Sequence, residues 1–559
     1  FRRVLFRSER GKATYITVNN LLDENETSEL SEYLHFLSDI KPTGIIVQDF
    51  AVLQRAKALK SDLEIHASVM MNVHNLEMIK ALEKHGVKRV VLSREATLAE
   101  AHYFHTHSNV ELEYFTHGDM CVAHGAQCYY SSMLFGMSSN RGKCLKPCRW
   151  WFDREGTRSY PLAVKDMSMI AHLPEMIHAG ITSYKIEGRM REKEFIVDLI
   201  NRYGDVFDRY IDDPVGYDYK EQEAWIFENR KRDLSTAYAF GNPGAFNINE
   251  RYEGTGKFYS TGKMFSTPTV ESDVDPNQVE GIKAIFNEVN AKATKVSVRV
   301  EDMEQALVAL EEGVFRIYLA ADVFEPKRPF TIQEIHKLVN MKGNTELFVT
   351  TPKMMDALQI DRYDAWLSKL QGIDGLLVTN LGAIEAFKKF GLKMVGDYSL
   401  NLFNEHAAAF YMSEGLSELT PSIELPVQSL KALLEENAPF EVITHGRMAG
   451  MYLSHDLYDV HQVSVDEQLI FENEAGRYLI KRDVHGKCHF LMQKTMTLLP
   501  FINQFFGANA RIEAQLMSAD ALRMTIKAHK FAIENKDATW DQLKTHLPES
   551  SYTLGAIRF

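Results

Sequence analysis

Cysteine is scarce in this chain: 559 residues carry five. That excludes a disulfide-stapled scaffold and points to a reducing cytoplasm. Long apolar runs are missing as well. None reaches the roughly 20 residues that cross a bilayer, and no secretory leader pattern is read. Positive charge is in deficit, with a net charge of −13, which argues against a non-specific nucleic-acid coat. Neither an HExxH helix nor a GxSxG elbow occurs, so two common hydrolase devices are absent. The remaining composition, 45% hydrophobic and 25% charged, is that of an ordinary globular protein. The length exceeds one core and implies two or three domains.

Against that scarcity, four of the five cysteines fall together as Cys121-x6-Cys128-x15-Cys144-x3-Cys148, while Cys488 lies far away. Four thiolates suit an iron–sulfur cluster or a tetrahedral zinc. The x6 and x15 spacings differ from the close CxxC pairs of zinc ribbons, so a cluster is favoured over zinc. Incidental buried thiols are the least favoured of the three readings, because such thiols seldom group.

Landmarks recur along the chain. Gly44–Phe50, Leu63–Asn75, His85–Glu95, Leu112–Met120 and Tyr184–Met190 are echoed by Gly375–Leu381, Leu392–Asn404, Glu414–Glu424, Phe440–Met448 and Ala510–Met517. The offset drifts only from 331 residues (Gly44 to Gly375) to 326 (Lys185 to Arg511). His117-Gly118 matches His445-Gly446, and Lys185-Ile186-Glu187 matches Arg511-Ile512-Glu513. A near-constant offset implies a duplicated domain. The second copy keeps the His-Gly pair but has Met451 and no cysteine nearby, so the thiols belong to function rather than to packing.

Within each copy, short β-branched runs alternate with amphipathic stretches, which implies parallel strands with helical crossovers. Tandem (β/α)8 TIM-like barrels are expected, with an open doubly wound sheet as the runner-up. Residues 1–8, FRRVLFRS, resemble a translated sequencing adapter and are set aside. A first barrel carrying the cysteines is expected over 9–205, a linker or small β-rich insert over 206–292, a second, degenerate barrel over 293–535, and a loosely attached tail over 536–559. The second copy opens with Val296–Ala321, for which the first has no equivalent. The first barrel is therefore expected to be N-terminally truncated by one or two βα units.

Several of these residues carry a family resemblance. Glu113-Tyr114-Phe115, Gly118, Met120-Cys121, Cys128 and Ser131 resemble the signature of the peptidase U32 family, and NRGKCLKPCRW (Asn140–Trp150) and YKIEGRM (Tyr184–Met190) are similar to further family segments. The resemblance runs from about Lys12 to Asp213, with a degenerate echo in the second half. Asp119 stands where the signature has a small residue, and Ala126 where it has glycine.

The resemblance implies an iron–sulfur enzyme that hydroxylates an RNA base. One branch of the family acts on tRNA wobble uridine with prephenate as co-substrate, another on a cytidine of large-subunit rRNA, and related members on a quinone precursor. The duplicated form here is closer to the rRNA branch. A U32-type, collagenase-like peptidase and a zinc-stapled RNA-binding protein are the alternatives. Cys121, Cys128, Cys144 and Cys148 would hold a [4Fe–4S] cluster, or zinc in the third reading. RNA and an electron donor are the expected partners, with no membrane.

The remaining candidates sit near predicted strand ends. Glu187 is a candidate general base, with Lys185 and Arg189 as anion holders; the plain alternative is a rim ion pair. His117 is a candidate proton donor, although its retention as His445 favours a core role. Asn140, Arg141, Lys146 and Arg149 are candidates to meet an RNA backbone. Lys165-Asp166 could add polar groups at the same rim, with a surface pair as the favoured alternative. Trp150 and Trp151 could stack on a base, and packing beneath the cysteine loop is the favoured role.

Overall fold

A computed structural model describes residues 4, 6–7, 9–59, 62–189, 191–249, 263–286, 294–436 and 438–559. Part of the adapter-like opening, Met190 and residues 250–262 of the expected β-rich insert lie outside the described residues.

In the first half, the β-branched runs form β1 (Tyr15–Val18), β2 (Gly44–Val47), β3 (Glu64–Ala67), β4 (Val87–Val91) and β5 (Glu111–Gly118). A hairpin follows, β6 (Phe152–Arg154) and β7 (Thr157–Ser159), then β8 (Asp166–Ser168), β9 (Ser183–Ile186) and β10 (Leu234–Ser235). Strands β1 to β5 pair in parallel in sequence order. Strand β9 adds in parallel to β5, giving an arc of six parallel strands. Short β8 runs antiparallel to the end of β5.

The second half opens with seven parallel-sheet strands: β11 (Val296–Val300), β12 (Arg316–Leu319), β13 (Glu346–Thr350), β14 (Gly375–Val378), β15 (Lys393–Gly396), β16 (Glu418–Leu419) and β17 (Glu441–Gly446). Next come β18 (Ala449–Leu453), β19 (Leu469–Asn473), β20 (Gly476–Arg482), β21 (Cys488–Leu491), β22 (Thr495–Thr497), β23 (Asn509–Glu513) and β24 (Tyr552–Thr553). Strands β11 to β16 pair in parallel in order. A bridge joins Leu419 to Phe440 just before β17, β17 pairs with β23, and β23 returns to β11. Those pairings form a ring of eight parallel strands, whereas the first half is an open arc. Counterparts of β11 and β12 are not found among the described residues of the first half, so two closed barrels are not seen. Both halves are mixed α/β with parallel sheets, as the strand–helix alternation implies.

The repeat extends to caps and turns. Asp49 and Asn380, 331 residues apart, both cap the helix after the strand, and Asn75 and Asn404 do the same one unit later. Asn72 and Asn401 both take the left-handed conformation, with φ of 59° and 54°. The halves meet pseudo-symmetrically. Helix Phe50–Ala58 packs on Glu405–Ser413, and Leu76–Lys84 packs on Leu381–Phe387. Phe50 stacks on Phe410 at 4.1 Å between ring centroids. Asn75 Nδ2 donates to Met355 O (3.0 Å), while Asn404 Nδ2 donates to Asp49 (2.8 Å).

One expectation, the loose tail, is corrected. Over 206–292 the described residues include the helices Lys220–Asn229 and Pro276–Phe286 and the two-residue β10, while residues 250–262 of the Gly- and aromatic-rich run lie outside the described residues. A separate antiparallel sheet is built from both halves: β18, β21, β20 and β19 of the second join β6 and β7 of the first. Its strands come from both halves, so no contiguous stretch announces it. The tail is not loose. Trp540, Leu543, Tyr552 and Ile557 are buried, β24 pairs with β22, and Arg558 donates to the carbonyls of Met133 and Leu134 (3.0 and 2.9 Å). Its polar residues conceal an apolar anchor at every few positions. No helix among the described residues is long and apolar enough to cross a membrane.

The shared glycine has a steric cause. Gly118 has φ +118°, and a Cβ there would lie 2.5 Å from Glu187 Cβ. Gly391 has φ +64° but open space around it. Gly118→Ala is expected to cost about 3 kcal/mol, clash added to backbone strain, and Gly391→Ala about 1 kcal/mol, strain alone. Denaturant unfolding of the two variants measures the difference.

Candidate metal centre

Strand β5 ends at Gly118, and the chain turns out of the sheet into the cysteine loop. Such carboxyl ends of parallel strands are where barrel-type enzymes gather their chemistry. Strand β9 ends beside it, bringing Lys185 and Glu187 to the same rim. The loop carries little regular structure, so its backbone groups need partners elsewhere. They find them on β18. His124 N donates to Tyr452 O (2.8 Å), Tyr452 N to Gln127 O (3.1 Å), and Tyr129 N to Gly450 O (2.7 Å). Cys128 itself bridges Met451, the position at which the second copy has no cysteine.

All five cysteines are free thiols. The four of the loop are near enough to feel one another's charge. Burial first, and then the charges of Cys144, Cys121 and Cys148, push the Cys128 thiol well above its usual range. Burial and then Cys148 push Cys144 up to about 12. A backbone N–H two residues downstream faces three of the sulfurs: Ala123 for Cys121, Tyr130 for Cys128 and Lys146 for Cys144, the last at 3.3 Å. Such donors stabilise a thiolate. Among the described residues no three His, Cys, Asp or Glu side chains are drawn close enough to hold a single metal ion. Cys488 is buried apart, receiving the Leu457 N–H.

The loop is fixed from several sides. Asn140 is buried and donates to Ala126 O (3.3 Å) and Glu424 Oε1 (2.5 Å). Arg141 forks onto Glu26 (2.9 and 2.8 Å) and reaches Leu21 O. Both residues therefore tie the loop to protein rather than present it to a ligand. Trp150 packs edge-on against Tyr130 and donates to Ser266 O (2.9 Å), and the ring of Trp151 is covered by Arg158. Ala126 sits at φ +58°, a conformation that favours the glycine of the family signature.

Electrostatics beside the thiols centre on Asp119. Lys146 (3.0 Å), Arg191 (3.3 Å) and Arg232 (3.8 Å) approach its carboxylate. Burial alone would raise that carboxyl; Lys146, Arg191, Arg149 and Arg232 hold it well below the usual range. Asp166 shares Arg191 and Arg232, so it does lie at the rim, while Lys165 covers Phe246. Arg149 belongs to this cluster. Lys185 pairs with Glu113 (2.8 Å), as Arg511 pairs with Glu441 in the second half. Glu187 faces Arg94 at 3.6 Å. Arg189 is exposed. His117 is buried against Tyr203, and burial followed by the charge of Arg191 lowers its pKa to about 3. It is neutral at ordinary pH, which suits packing better than proton donation.

Two clusters escaped the sequence reading. Arg191 and Arg232 lie far along the chain from Asp119, and no spacing rule links them. Inside the loop, His124 pairs with buried Glu95 (3.2 Å) and accepts from Asn72 (2.7 Å). Burial would raise Glu95, yet His124 and Ser93 bring it down to about 2. The HGDMCVAH run did offer a second histidine three residues after Cys121, which was the available signal.

The family model for peptidase family U32 matches residues 2–249 and 301–550, one match to each half. Among curated proteins, the chain is 31% identical over 257 residues to the tRNA hydroxylation protein P1 of Bacillus subtilis, covering 43% of this chain and 60% of that protein. It is 34% identical over 256 residues to the uncharacterized protease MJ0090 of Methanocaldococcus jannaschii, covering 42% and 61%. It is 31% identical over 220 residues to the 23S rRNA 5-hydroxycytidine C2501 synthase of Escherichia coli, covering 38% and 33%. The chain thus spans about three fifths of the first two relatives and a third of the last.

The low basicity of His117 has a pH signature. Its pKa is lowered from 6.5 to about 3, so its contribution is complete above 6.5 and is lost as pH falls toward 3. His117→Gln removes that proton uptake. The variant is expected to lose about 2 kcal/mol less stability than the parent between pH 7 and pH 5, read from urea midpoints at the two pH values.

Proposed function

Because the chain belongs to peptidase family U32, with both halves matched, we propose that it is an iron–sulfur-dependent hydroxylase of an RNA base. The observation that carries this reading is the grouping of four free thiols in one loop at the strand ends, three of them faced by an N–H two residues on. Burial raises the Cys121, Cys128 and Cys144 thiols, a cost that is relieved when metal replaces their protons. The spacing favours a polynuclear group over zinc. Cys121, Cys128, Cys144 and Cys148 would hold a [4Fe–4S] cluster, which supplies one-electron chemistry when bound.

The chain's own residues have definable parts in that reading. Strand β18 holds the loop at half-buried Cys128 through its bridge to Met451. Glu187 with Arg94, and exposed Arg189, stand at the rim where a base and its phosphate would enter. Relatives are named for tRNA hydroxylation and for rRNA 5-hydroxycytidine synthesis, so a pyrimidine of tRNA or rRNA is the expected target. Under the tRNA form, prephenate is the co-substrate. A reducing compartment, where the thiols stay free, goes with either form. A peptidase reading needs a thiolate with lowered pKa beside a base; Cys121, Cys128 and Cys144 are raised, and His117 faces Tyr203.

Anaerobic purification is expected to yield a brown protein with about four irons and four sulfides per chain. Cys128→Ala should abolish both and Cys488→Ala should leave them. Nucleoside mass spectrometry of a deletion strain should show loss of one hydroxylated pyrimidine, restored by the parent chain and not by Cys144→Ala. A colourless, zinc-bearing protein, or an unchanged nucleoside profile, would refute the proposal.

A further inference from the structure

The second half carries a cavity of about 450 Å³ at the carboxyl ends of β12 and β13, away from the cysteine loop. That volume lies within the usual span of small-molecule sites. Its floor is Leu319 to Ala321 and Pro352, where the two strands end. Its walls come from two crossover helices: Ile335 on Ile332–Met341, and Tyr363 and Trp366 on Ala357–Leu367. The fourth side is the turn between β20 and β21. Val484 N donates to Val323 O (3.0 Å), and His485 bonds Ala321 O (3.2 Å).

The lining has a definite chemistry. Phe330, Tyr363 and Trp366 offer ring surface, with the latter two centroids 4.9 Å apart. No aspartate or glutamate lines the cavity, although the chain as a whole is acidic. The polar tips are mostly engaged. Tyr363 donates to Thr350 O, Gln359 caps its own helix by accepting from Asp356 N (3.0 Å), and His485 is held at Ala321. Arg362 differs: it is exposed at the mouth, and among the described residues no hydrogen bond or ion pair engages it. Aromatic walls select a flat ring, and an unengaged guanidinium without a competing carboxylate selects an anion.

The axis of the same barrel cannot serve a ligand. Arg511 is fully buried there against Asp397, Glu441 and Glu513. The cavity between the crossover helices lies off that axis.

The geometry points to a second ligand site, between the β12 and β13 crossover helices, for a small aromatic anion: a flat ring bearing a carboxylate or a phosphate. This inference is independent of any metal or RNA chemistry in the first half. Isothermal titration of the full chain with 2-naphthoate and with uridine 5′-monophosphate tests it, with 2-naphthamide and uridine as uncharged partners. At least one anion is expected to bind with Kd below about 1 mM, and its uncharged partner at least about tenfold more weakly. Naphthoate alone would mark a free aromatic acid as the ligand; the nucleotide alone would mark a mononucleotide. Arg362→Gln, at an exposed position that leaves folding intact, should erase the preference for the charged member. Trp366→Ala should weaken both members. Binding of neither anion below that limit, or a preference unchanged by Arg362→Gln, would overturn the assignment.

Discussion

The pairing of the cysteine loop with strand β18 is the constraint on which the rest of the molecule depends. From Cys121 to Cys148 the chain forms only short helical turns, and a stretch of that kind cannot satisfy its own buried amides. Three backbone hydrogen bonds to Tyr452 and Gly450 do so. Gly450 is itself required, since a Cβ there would lie 2.4 Å from the Tyr130 ring. Arg558 then seals the short helix Tyr130–Phe135 from the far terminus. The thiol site is therefore composite. The first half supplies the sulfurs, and the second supplies the edge that shapes them. That division gives the copy without cysteines a structural part in the site.

The two strand-end centres have taken opposite paths from one ancestral arrangement. In the second, Arg511 lies wholly buried against Asp397, Glu441 and Glu513, and Arg299 reaches Glu513 from β11. Such networks contribute little net stability, because desolvation offsets the attraction. Their effect here is to fill the axis with satisfied charge. In the first, the equivalent Lys185 and Glu187 remain about one quarter exposed. The described arc has no partner for β11, so Glu187 turns to Arg94 instead. One centre is plugged and the other open, from the same Glu-x-x-x-His-Gly and Ile-Glu scaffolding.

Much of this was legible in the sequence, and for identifiable reasons. The offset of the repeat located both His-Gly pairs, and the structure shows why glycine is needed: a Cβ added at either would lie 2.5 to 2.6 Å from a glutamate Cβ. Strand–helix alternation revealed the parallel sheets, because period-two and period-3.6 patterns are local properties. Contacts between halves were not legible. Asn140 and Arg141 read as ligand-facing because they flank the cysteines, yet their partners are Glu424 and Glu26. The antiparallel sheet escaped because β6 and β19 belong to different copies. Asp119 read only as a departure from a signature; its partners Arg191 and Arg232 lie 72 and 113 residues away.

Asp119 gains its meaning from charge balance. Four cations, Lys146, Arg149, Arg191 and Arg232, surround two carboxylates, Asp119 and Asp166. The cluster is therefore net positive, and it adjoins the loop through Lys146, whose backbone N–H faces Cys144. A centre built on thiolates is anionic whatever fills it, and in a partly buried pocket that charge interacts strongly with its neighbours. A positive cluster lowers the cost of assembling four thiolates side by side. Without the two acids the same cations would repel one another and spread toward solvent. Asp119 thus does more than replace a small residue of the family signature. It holds Lys146 and the guanidinium groups together beside the loop, and Lys146 is the member whose charge acts to lower the Cys144 thiol.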